Sequence, residues 1–97
     1  RHFKAHFVEW RIQRSHLLKV TQRLDQPHCF TVQNANRDTA YYVEARPDGM
    51  YCTCDDFHNQ LEFFGRGCCK HGYAVLNSLG CQSLEHYLAA VSERLAA

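Results

Sequence analysis

Three cysteines and one histidine form the pattern that most constrains this chain: Cys52-x-Cys54, fourteen intervening residues, then Cys69-x-His71. Three thiols and one imidazole are a complete tetrahedral ligand set for zinc. Alternate side chains of an extended strand share a face, so the first pair would point the same way, with Cα atoms roughly 6.5–7 Å apart. That separation suits two ligands of one ion and lies at the upper limit of disulfide geometry. The pattern therefore predicts one Zn²⁺ bound by Cys52, Cys54, Cys69 and His71.

Neighbouring residues leave part of this assignment open. Cys68 is an alternative to Cys69, because Cys68-x-x-His71 is also a chelating spacing, although the matching i, i+2 geometry favours Cys69. His58 is an outside candidate, for which solvation at the surface is the simpler expectation. The two remaining cysteines are interpreted as small core residues: Cys29 and Cys81.

The residues around both pairs resemble the SWIM zinc finger, whose motif is C-x-C, a variable spacer, then C-x-H. Cys52-Thr-Cys54-Asp-Asp-Phe57 is similar to the first half with its acidic-aromatic pair. Gly67-Cys-Cys-Lys-His71, followed by Ala74-Val-Leu76, is similar to the second half, where the histidine opens a helix. With its flanks the resemblance covers residues 29–80 and leaves 1–28 outside.

This resemblance implies a small ββα-type zinc unit. Such units are found in chromatin-remodelling ATPases, transposase-related proteins, ubiquitin-ligase-like proteins and recombination factors. There they are proposed to bind DNA or proteins.

The N-terminal part of the sequence predicts one long helix over residues 3–24, which contain no Gly or Pro. Pro27 would end it, because proline cannot continue a helix. The apolar residues that follow a helical spacing are Phe3, Phe7, Trp10, Leu17 and Leu24. We expect this stripe to be a packing face or a surface that binds a partner.

Alternating patterns predict three strands, at residues 29–33, 39–46 and 50–54, joined by turns into an antiparallel meander. Residues 55–66 are a predicted spacer, whose Leu61, Phe63 and Phe64 would fold back over the core. A short helix at 71–79 and a final helix capped by Ser83 follow. The predicted fold class is α+β: a small zinc-binding ββα-type domain with a three-stranded antiparallel sheet, a long N-terminal helix and C-terminal helices.

At 97 residues the chain is predicted to be a single domain, 1–97. It would comprise a basic amphipathic helix (1–28), a zinc-binding core (29–80) and a C-terminal helix (81–97). A chain this short buries a modest core, so the metal would have a stabilising role. The chain begins with Arg1 rather than Met, which is compatible with excision from a longer protein.

The cellular compartment is inferred from the cysteines and from missing signals. A secreted disulfide module is the alternative, but the C-x-C and C-x-H spacing favours metal, and the sequence has no apolar signal segment and no N-x-S/T sequon. The sequence contains no run of about 18 apolar residues, which a membrane-spanning helix would require. We expect an intracellular protein, cytoplasmic if prokaryotic and nuclear if eukaryotic.

The metal site itself predicts a binding module rather than an enzyme. Four protein ligands leave no coordination position for water, so such a site is structural. A nucleophilic or redox role of the thiols, suggested by the vicinal Cys68-Cys69, is the disfavoured alternative, because bound zinc holds the thiolates. No small-molecule substrate is expected.

Charge favours nucleic acid, probably DNA, as the partner. The total is only +1, but residues 1–28 carry six Lys or Arg against two acidic residues. The exposed aromatics Tyr42 and Tyr51 would stack on unpaired bases. Candidate phosphate contacts are Arg11, Arg14, Lys19, Arg23, Arg37, Arg46 and Lys70.

Two considerations compete with this hypothesis. Arg66 and Lys70 are also placed to offset the negative charge of the zinc-bound thiolates. The near-neutral net charge favours a protein–protein docking module within a larger enzyme or complex. This module would use the apolar face of the N-terminal helix.

Overall fold

The computed structural model describes residues 2–34, 36–65 and 67–96, and within them the side chains of 8–34, 36–65 and 67–93. Helices flank a central sheet in an α+β arrangement. The elements in chain order are α1 (His2–Ser15), β1 (Leu18–Gln22), β2 (Cys29–Asn34), β3 (Ala40–Arg46), β4 (Gly49–Cys52), α2 (Asp55–Phe64), α3 (Lys70–Ser78) and α4 (Leu84–Ala96).

The sheet is a four-stranded antiparallel meander in the order β1-β2-β3-β4. Its register pairs Val20 with Val32 and Phe30 with Val43. Because side chains alternate along a strand, these residues share one face, which is apolar. Helix α3 contacts all four strands. The core therefore lies between this face and α3, whose contribution is Ala74, Val75 and Leu76.

The remaining helices attach to this core at its edges. Helix α1 packs on α3, where the Asn77 side chain donates to the buried Ser15 hydroxyl at 3.0 Å. Helix α4 contacts α3 and β4, and the Tyr87 hydroxyl donates to the backbone carbonyl of Arg46 at 2.9 Å. The Ser83 hydroxyl accepts the His86 backbone N–H at 3.0 Å, as expected for the cap of the final helix.

The predicted helix over residues 3–24 and the predicted three-stranded sheet are wrong. Helix α1 ends at Ser15, and residues 18–22 form a fourth strand, β1. In this segment Leu18 and Val20 face inwards while Lys19 and Thr21 are exposed, so the alternation has period two. The 4-3 spacing that included Leu17 and Leu24 was a coincidence, and both side chains are exposed. Those of Phe3 and Phe7 lie outside the described side chains.

The spacer predicted over residues 55–66 is also different in the structure, because most of it is helix α2. Cys54 caps its N-terminus, Asp55 and Asp56 occupy its first turn, and Gly65 ends it in the left-handed conformation, at φ 74°. Phe63 and Phe64 are 76% and 70% exposed, so they do not cover the core.

The arrangement of the core predicts that substitutions of two leucines near the end of α3 differ in their effect on the free energy of unfolding. Leu76 is 1% exposed and Leu79 is 44% exposed. Leu76→Ala removes fully buried methyl groups and leaves a cavity, so we expect it to lower the free energy of unfolding by about 2–5 kcal/mol. Leu79→Ala is the matched control, with an expected loss below about 1 kcal/mol. Denaturant unfolding of the metal-loaded protein measures both, and equal losses would contradict this arrangement of the core.

Candidate metal centre

Four buried side chains converge where β4 ends and α2 and α3 begin. Cys52 is the last residue of β4, Cys54 and Cys69 cap α2 and α3, and His71 lies in the first turn of α3. Each is 5% exposed or less. One ligand atom from each residue lies within 4.8 Å of those of the other three. The cluster is therefore compatible with one bound metal ion.

The distances within the cluster match those of tetrahedral zinc ligands. His71 Nδ1 lies 3.6 Å from the sulfur of Cys52 and 3.6 Å from that of Cys69. With Zn–S near 2.3 Å and Zn–N near 2.0–2.1 Å, tetrahedral angles separate sulfur from nitrogen by about 3.5–3.6 Å. The Nδ1 atom of His71 is thus the nitrogen placed to bind the ion.

Two of the sulfurs also serve as helix caps. Cys54 Sγ accepts the Phe57 backbone N–H at 3.4 Å, and Cys69 Sγ accepts that of Gly72 at 3.4 Å. The positive end of a helix dipole favours negative charge at this position. The starts of α2 and α3 therefore stabilise thiolates, and metal ligands bind as thiolates.

The three thiols perturb one another strongly. Hydrogen bonds from Cys52 and Cys69 lower the pKa of Cys54. Donation to Cys54 raises the pKa of Cys52 to about 12, and hydrogen bonding to Cys52 and Cys54 raises the pKa of Cys69. Without a cation the three thiols therefore do not all ionise together, because three adjacent negative charges repel. A divalent cation removes this constraint.

The loop that carries Cys69 is held by α2. The Gln60 side-chain amide donates to the Cys68 carbonyl and accepts the Cys68 N–H, both at 3.2 Å. Gln60 also donates to Asp56 at 3.2 Å, and Asp56 accepts two bonds from the Arg11 guanidinium, at 2.8 and 2.9 Å. A chain of polar contacts therefore runs from α1 through α2 to the ligand loop. Sequence reasoning missed Asp56 and Gln60; their i, i+4 spacing was the only local signal.

Cys68 does not belong to the ligand cluster. Its side chain is buried, and burial raises its pKa to about 12. It packs against α3, where a Cβ at Gly72 would come within 2.8 Å of the Cys68 sulfur and 3.3 Å of Met50 Cβ. Glycine thus allows this close approach of α3 to β4, and Cys68 fills the core beside it. Among the described residues, the candidate cluster thus contains Cys69 and not Cys68.

The predicted phosphate contacts lie in different parts of the molecule. Arg37 and Lys70 line a groove beside the metal centre. Most of the others contact neighbouring side chains: Arg11 pairs with Asp56, Arg23 with Asp25 at 3.1 Å, Arg46 with Glu44 at 2.5 Å, and Arg14 stacks 5.0 Å from the centre of the Trp10 ring. Lys19 is exposed on β1. Arg66 lies outside the described residues, and His58 is exposed and not part of the cluster.

Comparison with family models, with curated proteins and with solved structures gives no match to this chain. None of the helices in the described part of the chain combines the length and the apolar character needed to cross a bilayer.

Metal binding should release protons. Because the pKa values of Cys52 and Cys69 are raised well above neutrality, both thiols must lose a proton on binding, and we expect release of about two thiol protons per ion. The apparent metal affinity should then fall about a hundredfold per pH unit on lowering the pH from 8 to 7. Zinc titrations by calorimetry in buffers of different ionisation enthalpy measure this number. An affinity independent of pH would contradict the thiol assignment.

The two adjacent cysteines provide a matched pair of variants. Cys69→Ala should lose high-affinity metal binding, because it removes a ligand. Cys68→Ala should retain one ion per chain, with a loss of stability of roughly 1–2 kcal/mol from the cavity. Native mass spectrometry of both variants gives the metal content. Retention in Cys69→Ala together with loss in Cys68→Ala would reverse the assignment.

Proposed function

We propose that this chain is a SWIM-type zinc finger in which Cys52, Cys54, Cys69 and His71 bind one structural Zn²⁺. The observation that carries the proposal is the convergence of the four buried ligand atoms, with nitrogen–sulfur distances of 3.6 Å. Four protein ligands saturate a tetrahedral ion and leave no position for water or substrate. The zinc accordingly organises a binding surface and takes no part in catalysis.

The partner is nucleic acid, most readily single-stranded DNA. Support comes from a groove of about 360 Å³ beside the metal centre, lined by aromatic, amide and basic side chains together with the ligands. Trp10, which is 42% exposed, and Tyr41, whose ring lies 4.4 Å from that of His71, offer rings for base stacking. Arg37 and Lys70 lie on the same groove. Aromatic rings beside cations are typical of surfaces that bind unpaired bases.

Two basic side chains of this groove, Arg37 and Lys70, are placed to contact phosphates individually, although Asp55 and the zinc-bound thiolates offset their summed charge. No described carboxylate forms an ion pair with Arg37 or Lys70. The acidic lining residues are Asp55 and Asp56, and the second is neutralised by Arg11. On the opposite face of the sheet, Arg46 is engaged by Glu44 and lies over the Tyr51 ring at 4.0 Å. The groove is therefore a better phosphate site than the Tyr42–Tyr51 surface.

Protein docking is the second candidate function. Helix α1 packs on α3, so part of its apolar face already belongs to the domain. The observation that favours docking lies instead at the end of α2, where the adjacent aromatics Phe63 and Phe64 are largely exposed. Exposed aromatic side chains are enriched at protein interfaces.

Oligonucleotide binding tests the nucleic-acid proposal. We expect Trp10→Ala to weaken binding of a fluorescent single-stranded oligonucleotide by at least fivefold, because base stacking contributes about 1–3 kcal/mol. Arg37→Gln and Lys70→Gln should each lower the slope of log affinity against log salt by about 0.7, as expected for one lost phosphate contact on a single strand. Fluorescence anisotropy over a salt series measures both effects.

Arg23→Gln is the control, because it removes the same charge away from the groove, where Arg23 pairs with Asp25. Metal content is checked in every variant, since Lys70 adjoins two ligands. If Arg23→Gln and the groove variants lost equal affinity for the oligonucleotide, binding would depend on overall charge and not on the groove. Salt-independent binding, or no binding, would favour the docking alternative.

A further inference from the structure

A second set of metal-binding side chains lies outside the zinc cluster, on the sheet. It comprises His28, Cys29 and Glu44, each of which offers one donor atom within 4.8 Å of the other two. Cys29 and Glu44 lie on the face opposite the core, because their neighbours Phe30 and Val43 point inwards. His28 is exposed, while the other two are half-buried. This set is separate from the buried Cys3His cluster.

The backbone fixes the three positions. Cys29 and Glu44 are direct partners in the β2–β3 ladder. The His28 carbonyl accepts the Ala45 N–H at 2.8 Å. Cys29 donates its N–H to the Gln26 carbonyl and accepts the Arg23 N–H, both at 2.9 Å. Two of the donors, Cys29 and Glu44, are thus positioned by paired strands and need little backbone reorganisation to bind an ion, which favours affinity.

We propose that His28, Cys29 and Glu44 form a second, exchangeable site for a divalent transition metal, with Zn²⁺ as the best fit. A thiolate, an imidazole and a carboxylate are all zinc ligands, and three protein donors leave one position of a tetrahedron for water. This donor set differs from the first cluster, where four protein ligands saturate the ion. The second ion is therefore expected to bind more weakly and to exchange with free ions in solution.

The surroundings of the site suit this role. Arg46 donates to Oε1 of Glu44 at 2.5 Å, which holds the carboxylate in place on the sheet. Arg46 also places a positive charge beside the site, which limits its affinity for cations. Cys29 and Glu44 line a cavity of about 330 Å³, which is wide enough to admit a hydrated ion.

Metal stoichiometry tests the proposal on the intact chain. Under reducing conditions, native mass spectrometry during a Zn²⁺ titration should show one tightly held ion and then a second of weaker affinity. A chelator of intermediate strength should remove the second ion first. Cys29→Ser and His28→Gln should each lower the affinity for the second ion at least tenfold and leave the first in place.

Cys81→Ser is the matched control, because Cys81 is also a half-buried free cysteine but lies in neither cluster. It should keep both ions. His28 is exposed, so His28→Gln remains informative if Cys29→Ser impairs folding. Saturation of the wild-type chain at one ion, or a second ion that persists in both variants, would overturn the proposal. The first site and the proposed zinc finger are unaffected by that outcome, since they depend on different residues.

Discussion

The close approach of three buried thiols and one imidazole is the constraint on which this domain depends. Three sulfur atoms and one imidazole nitrogen lie close together. All three thiols can ionise there only around a cation, because adjacent thiolates repel one another. The cluster joins the end of β4 to the starts of α2 and α3, so a metal there closes the domain. Structural zinc contributes apparent binding free energies of about 10–16 kcal/mol in small fingers. That is as large as the net stability of about 5–15 kcal/mol of a typical domain, so a metal at this position would contribute substantially to folding.

The proposed binding surface is coupled to the metal through short connections. Lys70 lies between Cys69 and His71, and the Tyr41 ring lies 4.4 Å from the His71 ring at a tilt of 34°. Trp10 precedes Arg11, whose guanidinium begins the chain of polar contacts that ends at the ligand loop. Lys70, Tyr41 and the α1 segment that carries Trp10 therefore adjoin the ligand cluster or the contacts that hold its loop. A partner that bound only the folded groove, as proposed, would stabilise the folded domain in the same way as a metal ion.

Much of the site could be predicted from sequence, because its information is local. The C-x-C pair lies at a strand end and the C-x-H pair at a helix start, so the short spacing, together with the resemblance to the SWIM motif, indicated the four candidate ligands. The β1 strand could not be identified in this way, because the apolar residues Leu18 and Val20 fit a helix as well as a strand. Only the pairing of Val20 with Val32, which is not local in sequence, distinguishes the two. The Arg11–Asp56 pair spans 45 residues and leaves no local pattern. The His28, Cys29 and Glu44 set likewise depends on strand register, which composition does not reveal.

Loss of the metal would affect the groove through the ligand loop, which carries Lys70. Without metal, the thiols shift one another's pKa values in opposite directions, down for Cys54 and up for Cys52 and Cys69, so they do not all ionise together. With zinc bound, three thiolates and a divalent ion would sum to about −1. Displacement of the ligand loop on chelation would move Lys70, which lies between Cys69 and His71, whereas Arg37 lies between β2 and β3. If the proposed nucleic-acid binding is correct, chelation should therefore affect the contribution of Lys70 more than that of Arg37.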